Sequence, residues 1–202
     1  MPEKAFFAHP TALVESDEIG PGTRIWAFAH VMKGVRIGRN CNIGDHVFLE
    51  SGVRIGDGAT LKNNVLLWNG VEIGDYVFLG PGAVFTNDLY PRSPRLPLVA
   101  DRYAREEEWL VRTVVEEGAS VGANATVLCG IRLGAYCSVA AGSVVTKDVR
   151  PYSLVAGNPA RPRGCVNRRG AVLRDDGNGG WRDPRTGISY HWTHEGLEEI
   201  SS

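Results

Sequence analysis

The chain carries a large aliphatic or aromatic residue at every sixth position over much of its length. A period of six fits neither an α-helix, which repeats every 3.6 residues, nor a two-faced strand, which repeats every two. It suits a coil with flat sides and one inward-facing anchor on each side. The anchors are Leu13, Ile19, Ile25, Val31, Ile37, Ile43, Leu49, Ile55, Leu61, Leu67, Ile73, Leu79 and Phe85, then in the same phase Val115, Val121, Val127, Leu133, Val139 and Val145.

Two further positions of the hexad complete this picture. The residue four places after each anchor is nearly always small or β-branched, which lets an anchor and a smaller partner fill a narrow interior. Glycine follows many anchors, as at Gly20, Gly38 and Gly56, and we expect these glycines to turn the corners because glycine accepts positive φ. Three hexads would close one triangular coil, and successive coils would stack at roughly 4.8 Å by parallel strand pairing.

Two other folds fit the pattern poorly. Glycine is too frequent for a helix interior, where each one costs about 0.5–1 kcal/mol relative to alanine. A β-sandwich would show hairpin signals at irregular spacings instead of one unbroken phase.

The repeat aliphatic-Gly-x-x-small-x resembles that of the hexapeptide-repeat acyltransferases over about residues 8–165. That family folds as a left-handed parallel β-helix, so the resemblance implies an all-β solenoid of this hand. Handedness comes from the resemblance alone, since the usual crossover rule favours the opposite hand. Some proteins with this fold are carbonic anhydrases or assembly subunits, so the repeat by itself implies the fold more strongly than the activity.

The repeat also predicts the organisation of the chain. Residues 1–164 would form the β-helix domain, interrupted by an excursion loop at 86–112 that breaks the phase with prolines and charges. Loops of that length inside a regular fold are usually functional or disordered. Residues 165–202 would form a small C-terminal ribbon-like segment with a hairpin held by Trp181, Tyr190 and Trp192.

The C-terminal segment resembles a zinc ribbon that some relatives carry at this place. The positions that match the metal ligands are Asn167, Arg169, Asp183 and Thr186. A tetrahedral zinc site needs thiolates or imidazoles, so we predict a ribbon without metal. A metal held by Cys165, His191 and His194 is the alternative.

Composition narrows the function classes. The 22 basic and 23 acidic side chains of this 202-residue chain give no basic surplus for nucleic acid, and no apolar run is long enough to span a membrane. The N-terminus lacks a signal-peptide pattern, and the four cysteines lack paired spacing. Cys41 and Cys137 fall at inward positions, so we expect buried thiols in a cytoplasmic protein.

The stretch from Gly142 to Val149, followed by Ala156 to Arg161, resembles the C-terminal signature of the coenzyme A-dependent members of the family. The resemblance implies acetyl-CoA as cosubstrate, with Ala141 and Gly142 giving backbone contacts to the pantetheine arm. Lys147 and Arg161 would then meet the phosphates, for which a point charge and a planar fork are both suited. The simpler alternative is that Lys147 is solvated and the turn only ends the solenoid.

Residues 23–31 and 85–92 resemble a narrower group, N-acetyltransferases that act on a nucleotide-linked amino sugar. The match is to enzymes for the 3-amino group of UDP-2-acetamido-3-amino-2,3-dideoxy-glucuronate, a precursor of bacterial surface polysaccharide. It implies that Asn87 lies beside the sugar amine and that the sugar end is formed by Arg24, Trp26, His30 and Arg92. His30 as a structural histidine and Asn87 as a turn residue are the alternatives.

Acetyl transfer to an amine needs few catalytic groups. A neutral amine attacks the thioester, and the thiolate leaves readily because a free thiol has a pKa of about 8.5. No histidine occurs between His46 and His191, which excludes a loop histidine as base and leaves His30, His46 and Asp88. Asn87 cannot take a proton and would orient the amine by hydrogen bonding. Asn87 and His30 are the predicted catalytic residues.

Other functions remain as alternatives. The acceptor could instead be a dTDP-linked 3-amino sugar, a serine or another hydroxyl compound. A zinc enzyme of carbonic anhydrase type is disfavoured because His9, His30 and His46 are scattered, and a non-catalytic scaffold would lack the coenzyme signature. The resemblance implies a homotrimer with its active site between subunits, in keeping with a three-sided prism that meets one neighbour on each contact face.

Overall fold

The computed structural model describes residues 6–193 and 196–200, and most of them wind into a three-sided prism of stacked coils. Each side is a sheet of parallel strands, apart from the last pair of the first sheet, and most strands are only two or three residues long. Strands one coil apart pair with an offset of three hexads, as Arg24 pairs with Asn42 and Asn42 with Thr60. Three hexads therefore make one coil, as the period predicts.

The strands of the described chain fall into four sheets. The first sheet contains Phe7–Ala8, Arg24–Ile25, Asn42–Ile43, Thr60–Leu61, Phe78–Leu79, Ser120–Val121, Ser138–Val139, Ser153–Ala156 and Arg161–Cys165. The second sheet contains Leu13–Val14, His30–Val31, Phe48–Leu49, Leu66–Leu67, Val84–Phe85, Thr126–Val127 and Val144–Val145. The third sheet contains Arg36–Ile37, Arg54–Ile55, Val71–Ile73, Thr113–Val115 and Arg132–Leu133. A separate antiparallel sheet contains Arg174–Asp175, Trp181–Arg182, Ser189–Trp192 and Leu197–Glu199.

The excursion loop leaves the prism at the corner between the second and third sheets. Leu66 pairs with Val84 at the usual offset of three hexads, whereas Val84 pairs with Thr126 at an offset of seven, so the loop lengthens one coil by four hexads. Its backbone forms the 3₁₀ turn Pro97–Val99, the short helix Ala100–Tyr103 and the 3₁₀ turn Glu106–Glu108. The insertion is a whole number of hexads and leaves the register of all three sheets unbroken.

The anchors fill the prism from Ile25 onward, and Cys41 and Cys137 are buried among them as predicted. The prediction is wrong in the first coil, where Leu13 is 55% exposed. Leu13 pairs with His30, and Val14 takes the inward place beside Val31. The offset there falls one residue short of three hexads, so the inward positions of this coil shift by one.

The glycines that follow the anchors have a different role from the one predicted. Gly20, Gly38 and Gly56 are absent from the positive-φ residues, which lie elsewhere in the corners, as at Gly34 and Asn40. A Cβ at Gly38 would lie 2.6 Å from the carbonyl carbon of Gly56 in the next coil. Glycine is required there because the coils approach too closely for a side chain.

The C-terminal segment lies against the last coil. Arg161–Cys165 pairs antiparallel with Ser153–Ala156 and runs across the predicted domain boundary after residue 164, which stays a prediction. A second apolar cluster joins the segment to the solenoid through Tyr152, Cys165, Leu173, Tyr190 and Leu197. Trp181 packs against this cluster, as predicted, whereas Trp192 is 43% exposed and lies edge-on to Tyr152.

Candidate active site

Two corners of the prism flank the second sheet and carry most of the predicted site residues. We call the corner between the second and third sheets the loop edge; it carries Trp68, Asn69, Asn87 and Lys147. The corner between the first and second sheets, the opposite edge, carries Phe28, His46 and Gly142. Hydrogen bonds between successive coils hold the opposite edge, as from the Gly142 N–H to Ala123 and from the His46 N–H to Ala27.

Asn87 is fixed at the mouth of the loop on both sides. Its side-chain N–H donates to the carbonyl oxygen of Asn69, one coil away, at 3.3 Å. Its own carbonyl accepts the N–H of Val111 at 2.9 Å, where the loop returns to the prism. The side chain is half-buried, and its Oδ1 oxygen makes no hydrogen bond within the described chain. That oxygen can accept a hydrogen bond from a substrate amine.

Asp88 is the centre of an ion pair that shapes the loop. Arg102 Nη1 donates to Asp88 Oδ2 at 3.1 Å, and the Tyr103 hydroxyl donates to the same oxygen at 2.6 Å. The hydrogen bonds from Arg102 lower the pKa of Asp88 to about 2. A carboxylate this acidic is a poor base at neutral pH, so Asp88 drops out of the candidates for proton acceptance. No pattern in the sequence indicates its partners.

His30 begins a row of rings on the outer side of the second sheet. Its Nε2 atom lies 3.1 Å from Glu15 Oε2, and its ring is 5.5 Å from the ring of Phe48. Phe48 lies 5.3 Å from Trp68, the residue before Asn69. His30 is separated from Val84 by three strand pairings, roughly 14 Å, so one chain does not bring His30 and Asn87 into contact. The rings of His30, Phe48 and Trp68 form a row on this face that sequence reasoning missed, and the row ends at the residue before Asn69.

Arg24 and Trp26 lie together near the N-terminal end of the prism. The guanidinium carbon of Arg24 is 6.0 Å from the centre of the Trp26 ring, and the indole N–H donates to Asn42 Oδ1 at 2.8 Å. Arg92 lies apart from them on the loop, with its backbone N–H on the Tyr103 hydroxyl and its guanidinium on the carbonyl of Pro91. Arg24 and Trp26 together offer a cation beside an aromatic face, which suits an anionic ligand that contains a ring.

The four predicted coenzyme residues surround the last coil but do not share one edge. Ala141 and Gly142 lie at the opposite edge, where Gly142 has φ 68° and no atom would approach an added Cβ within 4 Å. Lys147 follows the second-sheet strand Val144–Val145, at the loop edge. Lys147 and Arg161 line one cavity of about 820 Å³ beneath the coil, and Gly142 is not among the residues that line it. A ligand that touches both sets must pass around the last strand or lie between two chains.

In the predicted ribbon, the side chains at the positions of a zinc ribbon's metal ligands hold the turns by hydrogen bonds instead. Asn167 Oδ1 accepts the N–H groups of Arg169 and Ala171 at 3.0 Å each, and Asp183 Oδ1 accepts that of Arg185 at 2.8 Å. Asn167 Nδ2 donates to Asp183 Oδ2 at 3.4 Å and joins the two turns. The pKa of Asp183 is lowered, first by the Arg185 N–H, so its carboxylate stays ionised.

The described residues contain neither a group of side chains placed to bind a metal ion nor a helix able to cross a membrane. Over 6–193 and 196–200, no group of three or more His, Cys, Asp and Glu side chains is placed to hold a metal ion. His194, one member of the alternative metal set, lies outside the described residues. The described helices include none long and apolar enough to cross a membrane.

Comparison with known proteins agrees with the fold and gives the family. The family model of bacterial transferase hexapeptide, with six repeats, matches residues 18–51, 52–87 and 112–147. The dTDP-3-amino-3,6-dideoxy-alpha-D-galactopyranose 3-N-acetyltransferase of Aneurinibacillus thermoaerophilus is 49% identical over 160 residues, covering 79% of this chain and 78% of that protein.

Two solved structures share the fold at low identity. A variant of GDP-perosamine N-acetyltransferase from Caulobacter crescentus aligns with TM-score 0.54 at 22% identity, over 79% of this chain and 57% of that one. A hexapeptide transferase family protein from Anaplasma phagocytophilum aligns with TM-score 0.53 at 19% identity, over 81% of each chain. The predicted left-handed parallel β-helix and the acyltransferase class are confirmed. The chain belongs to the hexapeptide-repeat family of bacterial transferases.

Proposed function

We propose that the protein transfers an acetyl group from acetyl-CoA to the 3-amino group of a dTDP-linked deoxy sugar. The observation that carries this proposal is the 49% identity to an N-acetyltransferase for dTDP-3-amino-3,6-dideoxygalactose along most of both chains. That relative favours the alternative acceptor over the UDP-linked glucuronate first predicted. Arg24 and Arg92, which would suit a uronate carboxylate, suit the pyrophosphate of either nucleotide equally well.

The geometry at the loop mouth supports amine acetylation. The Asn87 Oδ1 oxygen would accept a hydrogen bond from the neutral 3-amine and aim the nitrogen lone pair at the thioester carbon. The C–N bond forms as the carbonyl becomes an oxyanion, and a backbone N–H would stabilise that charge. The C–S bond then breaks, the coenzyme leaves as a thiolate, and the nitrogen loses its proton to solvent or to a nearby group.

The aromatic row supports the position of the sugar. The rings of His30, Phe48 and Trp68 present apolar faces between Arg24 and Trp26 at one end and Asn87 at the other. A deoxy sugar has an apolar face that can pack on such rings, while its nucleotide would extend towards Trp26. His30, paired with Glu15, would then act on the sugar end and not on the amine at Asn87.

The division of the coenzyme residues between two edges supports a homotrimer. The outward positions of the second sheet also include the apolar residues Leu13, Leu66, Val84 and Val144, a surface suited to contact with another chain. The loop edge of one chain and the opposite edge of its neighbour would then face one groove. The coenzyme would meet Lys147 from one subunit and Gly142 from the next. We place this activity in the cytoplasm, in the supply of sugars for surface polysaccharide.

A thiol-release assay with acetyl-CoA tests the proposal. The panel contains dTDP- and UDP-linked sugars, each with the amine at carbon 3 or carbon 4. We expect fastest release with a dTDP-linked 3-amino sugar and little release with its 4-amino isomer. Equal rates for both isomers would contradict an amine held at Asn87, and faster release with the UDP-linked glucuronate would restore the first prediction.

A further inference from the structure

The cavity beneath the last coil is built from two different parts of the chain. The solenoid core contributes Val145, Val149 and Val155 to its lining, and the C-terminal segment contributes the indole rings of Trp181 and Trp192. The segment lies outside the residues that the family model matches. The shape of the cavity, about 820 Å³, therefore depends on how the segment lies against the prism.

The described contacts between the segment and the prism converge on Tyr152. The backbone N–H of Val166 donates to the Tyr152 carbonyl at 2.8 Å, and Arg168 Nε donates to the Tyr152 hydroxyl at 3.0 Å. The ring of Trp192 lies edge-on to the Tyr152 ring, with the ring centres 6.2 Å apart. Gly196 approaches so closely that an added Cβ would lie 2.8 Å from the same ring. One tyrosine of the last coil thus holds much of the segment in place.

Arg168 extends this attachment to a second tyrosine. Its guanidinium carbon is 5.4 Å from the centre of the Tyr136 ring, which stacks on the Tyr152 ring at 5.5 Å. The prism fixes Tyr136 in turn, because the Tyr136 hydroxyl donates to Glu117 Oε1 at 2.7 Å. We call the contacts of Arg168 with Tyr136 and Tyr152 the latch. Arg168 is exposed, so the latch forms at the surface and is of modest strength.

The segment has a small apolar core of its own, separate from the core of the prism. The buried members of this second cluster are Tyr152, Cys165, Leu173, Tyr190 and Leu197. Parts of a protein that bury few apolar side chains open at a lower free energy than the main core. We therefore expect the segment to open while the prism stays folded.

The chain has a hinge where the segment leaves the prism. Leu154 pairs with Gly164 and Val155 pairs with Pro162, so Arg163 forms a bulge in the strand pairing. Gly164 has φ 150°, a backbone conformation that favours glycine. A bulge beside a glycine can absorb a change in backbone direction without breaking the rest of the sheet.

We propose that the C-terminal segment is a hinged cover of the cavity, closed by the latch of Arg168 on Tyr136 and Tyr152 and turning at Gly164. The inference rests on the proposed function only in that coenzyme A is the ligand whose passage the cover controls. Arg168 is not among the residues that line the cavity, so it is a positioning residue that acts through the two indole rings. Opening of such covers often sets the rate at which a bound ligand leaves.

Amide hydrogen exchange tests the latch without any turnover. Arg168→Gln should raise exchange over residues 166–193 about tenfold and leave the prism core unchanged, because a cation–ring contact and a hydrogen bond are lost together. Arg169→Gln is the matched control and should exchange as wild type does. It removes the same charge one residue away, and the Arg169 side chain makes no hydrogen bond or ion pair among the described residues.

Two further variants separate the latch from a general effect on folding. Tyr152→Phe keeps the ring and removes the hydroxyl, so it should raise exchange by a smaller factor than Arg168→Gln. Adding Tyr152→Phe to Arg168→Gln should have no further effect, because residues that share one contact are not additive. Arg168→Lys keeps a cation beside the Tyr136 ring and should restore part of the protection.

The dissociation rate constant of coenzyme A, measured by stopped-flow displacement, tests whether the segment covers the ligand. We expect Arg168→Gln to raise it about tenfold, in step with exchange, and Arg169→Gln to leave it unchanged. Unchanged exchange in Arg168→Gln, equal effects in Arg169→Gln, or faster exchange with wild-type dissociation would overturn the proposal. Neither measurement needs an amino sugar, so a protein that binds coenzyme A and acetylates no sugar of the panel would refute the proposed function alone.

Discussion

At the scale of single residues, two neighbours at the mouth of the loop differ in how far the sequence predicts them: it predicts the position of Asn87 but not the role of Asp88. Asn87 follows a matched motif and lies one full coil after Asn69, so the coil length alone places the two side by side. The sequence leaves Asp88 as a candidate base, but hydrogen bonds from Arg102 and Tyr103 lower its pKa and hold it as an anion that stabilises the loop. Those partners lie further along an irregular loop, where no period predicts contact.

The Asp88 ion pair gives a prediction for the loop. The pKa of Asp88 is lowered from 3.8 to about 2. The ion pair therefore stabilises the folded loop fully above the unfolded-state pKa of 3.8, and this stabilisation is lost as pH falls through about 2. Asp88→Asn should open the loop at neutral pH as acid opens it in wild type. Amide hydrogen exchange over residues 86–112 should rise about tenfold, the factor that a loss of about 1.4 kcal/mol represents.

The control for this prediction is Glu108→Gln in the same loop. Glu108 Oε1 lies 2.9 Å from Arg105 Nη2, and both side chains are largely exposed, so this ion pair contributes little. Loop exchange that rises equally in the two variants would mean that charge in general, and not the Asp88 cluster, holds the loop.

At the scale of the elements, the hexad predicts strands, inward anchors and coil length, and all three are confirmed from the second coil onward. Two details lie beyond it. The first coil is one residue short, which exposes Leu13, and the hexad does not indicate that its phase shifts there. The glycines after the anchors are needed for close stacking, a property of two coils together that one hexad does not reveal.

Gly38→Ala should therefore destabilise the prism more than an alanine at a positive-φ glycine. An added Cβ would lie 2.6 Å from backbone of the next coil, and overpacking of this kind costs about 1–3 kcal/mol. Gly34→Ala in the same coil is the matched control, since φ is 82° there and no atom lies within 4 Å. Its cost is conformational, about 1 kcal/mol. Thermal melting that ranks Gly34→Ala as the less stable variant would contradict the stacking argument.

At the scale of the whole molecule, the prism orders its sites along one axis. Arg24 and Trp26 lie near one end, Asn87 lies between, and Lys147 with the C-terminal cavity lies at the other end. The period predicts this order, because outside the excursion loop each further three hexads of sequence add one coil along the axis. The contribution of the C-terminal segment could not be predicted, since it has no repeat and its contacts with Tyr152 join distant parts of the chain.

The product formed from acetyl-CoA and dTDP-3-amino-3,6-dideoxygalactose tests the central claim most directly. Nuclear magnetic resonance of the wild-type product should locate one new acetyl group on the 3-amine. Asn87→Ala should lower kcat about tenfold or more with KM for acetyl-CoA little changed, while Asn178→Ala on an exposed turn behaves as wild type. An acetyl group on a hydroxyl oxygen, or an Asn87→Ala enzyme with wild-type turnover, would contradict an amine positioned at the loop mouth.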